Sequence, residues 1–429
     1  MPSTVRRTST ARRAPPAHSS ILGAVIAGLA LLGVLLRPFR LNEAWWAAGG
    51  AVTLVLVGAL SPHAAWAALA RGLNVYLFLI GMMALAGFAR VEGVFDWIAA
   101  LAVRAARGSR ARLLLLVYVA GIATTAFLSN DATIVVLTPA VLDALARTDA
   151  RPDAYVFACA LVANAASLVL PIANPSNLLF FAGGMPPLGS WFASFGLASI
   201  AAVAATYVVL RLIFVRDVTA PLAAARDERN VAAPRAAASA VLGFSTLVLI
   251  VTSSFSGPLG ATAFALGIGA TLVAATRERT APGAIARTIH WSIVVLTAAL
   301  FVLVDALDVA GAGVLSRDLF GWAQHLGGPL ANVGVAAAAA IASNLANNLP
   351  IGLELGKYAT AAHPPAALTA AALVGVNVGP NFTVNGSLAT LLWLAVLRNA
   401  GVRIGPRRFA AVGLLVTPPA LIVAALLAR

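Results

Sequence analysis

Apolar runs of roughly 17 to 25 residues recur along the whole chain, each long enough to cross about 30 Å of hydrocarbon as a helix. They do not alternate: "ILGAVIAGLALLGVLL" at 21–36 is continuous, unlike the segments of about ten alternating residues that build a membrane β-barrel. The pattern predicts spans near 20–36, 43–60 and 72–89, a shorter amphipathic helix near 93–107, an apolar pair at 112–128 and 132–146, and spans at 154–182 and 190–215. A polar stretch at 216–238 follows, with Arg216, Asp217, Arg226, Asp227, Glu228, Arg229 and Arg235. The order then repeats: spans near 240–256, 260–276 and 290–308, a short helix near 313–326, an apolar pair at 331–343 and 349–361, and spans at 367–397 and 409–428.

This pattern divides the chain into a basic, disordered tail (1–19), a first repeat (20–215), a cytoplasmic linker (216–239) and a second repeat (240–429). In both halves the third span runs into a Gly-containing, acid-bearing segment, Glu92-Gly93 and Asp308 to Gly311, and a late span is interrupted by Asn, Gly or Pro. Two such halves with broken helices predict an all-α polytopic membrane protein of inverted repeats, the architecture of secondary transporters.

Composition supports a lipid solvent: 61% of the 429 residues are hydrophobic and 10% charged, against about 25% charged in soluble domains. The net charge of +14 does not indicate nucleic acid, because the arginines sit in short breaks between apolar runs and form no basic domain. They read as topology signals. Arg104, Arg107, Arg110 and Arg112 precede the first apolar pair, and Arg147 and Arg151 follow it. Both ends then belong on one basic face, which makes the pair a re-entrant hairpin. With a mirror hairpin in the second half and the linker in the cytoplasm, 21 of the 29 basic residues lie inside and 8 outside. Arg6, Arg7, Arg12 and Arg13 then fall outside. The Arg-rich start resembles a secretory or twin-arginine signal, but the repeat needs 21–36 as a structural helix, so no cleavage is expected. Cys159, the single cysteine, lies in an apolar run, which excludes a disulfide framework and a thiolate metal site and leaves it a small buried hydrophobe.

Non-helical backbone at membrane depth is tolerated only where protein or a wet cavity supplies partners, and four interruptions meet that condition. The first is Ser129-Asn130-Asp131 at the tip of the first hairpin, where a carboxylate and an amide adjoin a helix N-terminus. Such a triplet also caps ordinary helices, but a charge near the midplane is costly unless it has a use. The second is the stretch with Asn164, Pro171, Asn174, Pro175, Ser176 and Asn177, in which two prolines remove helix donors. The third, at the opposite tip, holds Ser343, Asn344, Asn347, Asn348 and Pro350, with Glu354 and Lys357 three apart on the following arm and able to pair. The fourth has Asn377, Gly379, Pro380, Asn381, Thr383, Asn385, Gly386 and Ser387. It mirrors the second, Asn164 answering Asn377 and Pro175-Ser176 answering Gly386-Ser387. Converging at the midplane, these groups would hold a small polyhydroxyl, an oxyanion or Na⁺. Asp131 and Glu354 are the coupling candidates, and His290, Asp305 and Asp308 rank behind them.

At these segments the chain resembles the arsenite/antimonite efflux permease family, the arsenical pump membrane proteins of the ion transporter superfamily. The resemblance covers 21–429: "SNDATIVVLTP" at 129–139, "NNLP" at 347–350, and the Gly-Pro pair at 379–380 followed by "GSLATLLWLAVL" at 386–397. It implies inverted repeats with re-entrant hairpins, an elevator-like movement, and export of trivalent arsenic or antimony driven by protons or by a separate soluble ATPase. No Walker A sequence occurs, so an ATPase would be another chain. The uncharged trihydroxide fits amide and hydroxyl donors without thiols. Asn164 and Asn377 stand where the family pattern carries acids, and Asn381 replaces the lysine after the Gly-Pro pair. Asp131 is then the acid left in the core motifs and the first candidate to carry protons.

The competing reading is a Na⁺- or H⁺-coupled carrier of a dicarboxylate-like anion, or a Na⁺/H⁺ antiporter, of the same superfamily. Against a dicarboxylate stands the lack of arginine in the four core motifs. An enzyme is not expected: the five histidines are dispersed and no HExxH occurs. No cofactor or metal is expected; a multi-pass location in the cell membrane, contact with lipid and a possible homodimer are.

Overall fold

The computed structural model describes residues 17–222, 231–276 and 282–429. The expected disordered tail falls outside these over 1–16, as does the middle of the linker at 223–230.

The first half runs α1 (Ala17–Leu36), α2 (Glu43–Leu56), α3 (Pro62–Arg71), α4 (Leu73–Val91), α5 (Val94–Ala105) and α6 (Arg110–Leu128). After one residue α7 (Asn130–Ala132) passes through the π-turn Thr133–Leu137 into α8 (Thr138–Leu145), followed by α9 (Asp153–Ala165), α10 (Pro175–Phe180), α11 (Leu188–Ile213) and α12 (Val215–Thr219). The second half runs α13 (Ala236–Ser254), α14 (Leu259–Ala275), α15 (Pro282–Ala286), α16 (Trp291–Val309), α17 (Gly313–Leu326), α18 (Gly328–Ala346), α19 (Asn348–Ala362), α20 (Ala366–Val378), α21 (Leu388–Asn399) and α22 (Pro406–Leu427). Seven of these, α4, α6, α11, α13, α16, α18 and α22, are long and apolar enough to cross a membrane. The chain is a multi-pass helical membrane protein.

The halves agree in detail. α4 and α16 have 19 residues each and begin at 73 and 291; α6 and α18 also have 19 each and begin at 110 and 328, the same 218-residue offset. Packing repeats with the halves exchanged: α4 lies along α14 as α16 lies along α2, α6 packs on α9 as α18 packs on α20, and α11 packs on α22. Close approach rests on small residues. A Cβ on Gly81 would collide with the Ala263 backbone, and one on Gly267 would meet the Gly81 carbonyl at 2.7 Å, so bare backbone lets α4 and α14 touch.

The first apolar pair is a hairpin. Arg110, at the start of α6, donates to the Asp149 carboxylate (2.7 Å) and carbonyl (3.1 Å) just beyond α8, and the Tyr155 hydroxyl donates to the Arg110 carbonyl (3.3 Å). The chain therefore leaves and returns at one end. Near the turn Thr125 and Thr133 share a hydroxyl hydrogen bond of 2.8 Å. In the second half α18 and α19 pack together behind a turn at Asn347.

Three apolar cores result. One is built from α1–α4 and α13–α16, and Leu349, Leu353 and Leu388 dock into it. The second centres on α5–α9 with α21 and α22, and the third on α17–α20 with parts of α11 and α22. Outward faces of α1, α11, α13 and α22 present residues such as Val25, Leu29, Leu197, Ile200, Phe244, Leu247, Val251 and Leu414, all exposed, as lipid contact requires.

Two short helices, α3 and α15, were not expected from the sequence; both are too short to span and merge with neighbouring apolar pattern. Within the expected linker, α12 continues to Thr219 and α13 begins at Ala236.

Candidate functional site

Both hairpin tips turn on a residue with left-handed backbone. Ser129 has φ 106° and Asn347 φ 74°, and neither is glycine. Such conformations cost of order 1–3 kcal/mol and persist where surrounding structure over-determines them, often at functional sites. Each turn starts a helix that points its N-terminus inward, α7 at Asn130 and α19 at Asn348.

Both broken spans do the same. α9 stops at Ala165, and the chain passes through turns and a 3-10 turn at Pro171–Ala173 to an extended Asn174 before α10 begins at Pro175; the Asn174 side chain accepts from the Ser176 amide at 2.9 Å. α20 stops at Val378 and α21 begins at Leu388, with the Ser387 hydroxyl accepting from the Ala389 amide at 3.2 Å. The caps shift the expected mirror by two positions: Ser387 answers Asn174 in place of Ser176, each ten residues after Asn377 and Asn164. Capping, not the proline, sets the register.

Four helix N-termini thus face one cavity. Asn130 and Asp131 come from the first tip, Asn174 and Pro175 from the first break, Asn348 and Leu349 from the second tip, and Ser387, Leu388 and Ala389 from the second break. Leu79 of α4 and Ile293 and Thr297 of α16 close the remaining side. The side chain of Asp131 has no hydrogen bond or ion pair among the described residues. The amide oxygens of Asn130 and Asn348 and the Thr297 hydroxyl are buried and without partners. Asn130 and Asn348 are equivalent, at the 218-residue offset from 130 to 348. Buried orphan acceptors are rare because each costs about 1–3 kcal/mol, and four N-termini add positive potential. The cavity has about 10 Å³ of free space, room for about one water, so its acceptors reach a small, oxygen-rich solute once the tips part.

The remaining sequence candidates lie behind this cavity, where their polar atoms bond mainly to one another. Asn164 donates to the Asn381 side chain (2.7 Å), Ser176 to Asn377 (2.9 Å), and Asn377 to Asn177 (2.9 Å). Asn177 holds the Ser167 and Pro171 carbonyls (2.9 and 3.2 Å). These bonds, between side chains that are all buried, join the two breaks into one block, and Gly413 lets α22 press on the Asn381 carbonyl. Thr383 donates its backbone amide and hydroxyl to Asn344 (2.8 and 3.0 Å), and Asn347 donates to the Asn385 carbonyl (3.2 Å). The Asn348 amide reaches the Gly386 carbonyl at 3.0 Å, fastening the second tip to the second break. Ser129 shapes its turn through its backbone; its side chain makes no capping bond.

Glu354 lies away from the cavity. Its expected partner Lys357 bonds instead to Asp305 (2.8 Å) and Asp308 on α16, while Arg71 of α3 also binds Asp305. Two residues escaped the sequence reading. Thr297 sits mid-span in an apolar helix with no local signal. Arg37, paired with Glu43 at 3.2 Å, lines a side pocket with Asn347 and Asn385, an arginine brought near the site by folding, outside every core motif.

A helical membrane protein with two hairpin tips and two broken helices meeting at one polar cavity is a membrane transporter. The citrate transporter family model, CitMHS, matches residues 31–378. Arsenical pump membrane proteins match too: that of Escherichia coli is 29% identical over 433 residues, covering 94% of this chain and 97% of its own, and that of Yersinia enterocolitica 30% identical over 348 residues, covering 77% and 80%. An uncharacterized transporter of Mycobacterium tuberculosis is 25% identical, covering 92% and 94%. Among solved structures, the YdaH transporter of Alcanivorax borkumensis, described as having an unusual topology, shares the fold with a TM-score of 0.52 at 17% identity, over 95% of this chain and 97% of that one. The chain belongs to the citrate transporter (CitMHS) family and to its arsenical pump membrane protein relatives.

Proposed function

We propose that this chain exports trivalent arsenic or antimony as the neutral trihydroxide, in exchange for protons. The observation that carries the reading is the cavity itself, where the orphan acceptors of Asn130 and Asn348 meet the unpaired Asp131 carboxyl. A trihydroxide has three hydroxyls, which donate to the two amide oxygens and the carboxylate. Thiols are not needed, and Cys159 is buried in α9 away from the cavity.

Asp131 supplies the exchange. Ionised and without a counter-ion, it favours occupation by a hydroxyl donor; when the cavity empties, a proton replaces the solute on the same oxygens. Solute and proton then compete for one carboxylate, the condition for antiport. The halves are read as inverted repeats, with the first hairpin entering from the cytoplasm and the second from outside.

The test is expression in an arsenite-sensitive strain lacking its own pump, measuring tolerance and accumulated arsenite, with Asp131→Asn alongside. Restored tolerance with low accumulation supports the reading, and Asp131→Asn should lose both. Unchanged accumulation, or citrate uptake without arsenite efflux, would overturn the substrate; a fully active Asp131→Asn would overturn the exchange step.

A further inference from the structure

Lys357 ties the second hairpin to the helix panel beside it. On one side of α19, Leu349 and Leu353 insert into the core of α1–α4 and α13–α16; on the other, Leu355 packs into the core of α17–α20. Lys357, one turn past Leu353, reaches Asp305 and Asp308 at the end of α16. Arg71 binds Asp305 from α3. These four charges, two of each sign, balance.

Glu354 is the fifth charge. Its Oε1 accepts from Ser316 of α17 at 3.4 Å, while its Oε2 is buried and receives no donor from a neutral or cationic group, the Asp308 carboxyl being the group beside it. A Cβ on Gly313 would lie 3.9 Å from both Asp308 Oδ1 and Glu354 Oε1, so the two carboxyls converge over that glycine. Arg317, Asp318 and His325 of α17 are exposed, and α10, α18 and α20, which also pack on α19, contain no titratable residue. An ionised Glu354 would leave the cluster one negative charge in excess, half-buried beside Asp308.

We infer that Glu354 is a proton-binding site that controls docking of the second hairpin. With the proton on Glu354, Lys357 is free to hold Asp305 and Asp308, and α19 stays seated. With the proton lost, Glu354 repels Asp308 and competes for Lys357 three residues along the same helix, and the seat is weakened. Water supplies and removes the proton, since the Asp308 and Lys357 side chains are each 31% exposed. The device exists on one hairpin only: at the 218-residue offset, the positions of Asp305, Asp308, Glu354 and Lys357 are Gly87, Arg90, Val136 and Pro139. Like Asp131, whose counterpart at the same offset is Leu349, this seat makes the two halves unequal. The inference goes beyond the proposed substrate and stands whether or not that solute is arsenite.

The test reads docking without any solute. Leu353→Cys in a Cys159→Ala background places a thiol under the seat, and maleimide labelling is followed in detergent from about pH 5 to about pH 8, corrected for the thiolate fraction with a free thiol. Labelling should accelerate at least about tenfold as pH rises. Glu354→Gln should hold it slow throughout, and Lys357→Met should make it fast throughout. Hydrogen exchange of 348–362, corrected for intrinsic pH dependence, gives the same readout in chains that keep Leu353. A pH response that survives in Glu354→Gln by both methods overturns the inference. The pH response without arsenite transport would leave it intact and sink the proposed substrate instead.

Discussion

The Asp131 carboxyl faces the cavity without an ion-pair partner, while Asn130 and Asn348 offer acceptors to nothing in the protein. Replacing either Asn by Ala removes an acceptor awaiting the solute, and each change should raise the half-saturating arsenite concentration by roughly tenfold, a lost buried hydrogen bond being worth about 1–3 kcal/mol. Transport kinetics check this. Asn164→Ala should act differently: it breaks the 2.7 Å bond to Asn381 that joins the two breaks, and the first loss should be thermal stability, by about 1–3 kcal/mol, measured as unfolding in detergent. Sequence marked all these residues as candidates but could not sort them. Asn130 and Asn164 read alike in a string, and only the fold shows that one amide faces a cavity while the other is held by its partner across the breaks. Thr297 was illegible for a related reason: a threonine hydroxyl in a span usually bonds its own helix, and here it does not.

Helix starts and crossings are the elements that aim the site. Asn174→Ala and Ser387→Ala each remove a cap at a broken helix, so each should cost about 1 kcal/mol, detectable as a lowered midpoint of thermal unfolding. Gly81→Ala would drive a methyl into the Ala263 backbone and should cost about 1–3 kcal/mol by overpacking α4 on α14. Most spans were legible because apolar length is set by the bilayer; the arginines flanking the first apolar pair put its two ends on one side, and the Arg110–Asp149 contact brings them together in space, as it would for two crossing helices too. The mirror between breaks was legible to within two residues, since Asn, Gly and Pro mark where a helix stops while the cap fixes where it restarts. α3 and α15 were missed because neither has span length or a strong flanking signal.

For the whole molecule, repeated element lengths and exchanged packing bring two tips and two breaks together on a polar cavity, and a charged seat on one hairpin makes the halves unequal. If the halves are inverted, the loop between α1 and α2 lies in the cytoplasm and the segment between α2 and α4 lies outside, which reporter fusions at these points would check. The most direct measurement is arsenite movement into everted membrane vesicles under an imposed acid-inside gradient. Accumulation above the external concentration, abolished by collapsing the gradient and by Asp131→Asn, is the predicted result. Arsenite that merely equilibrates, or accumulation indifferent to the proton gradient, would contradict proton-driven export through this cavity.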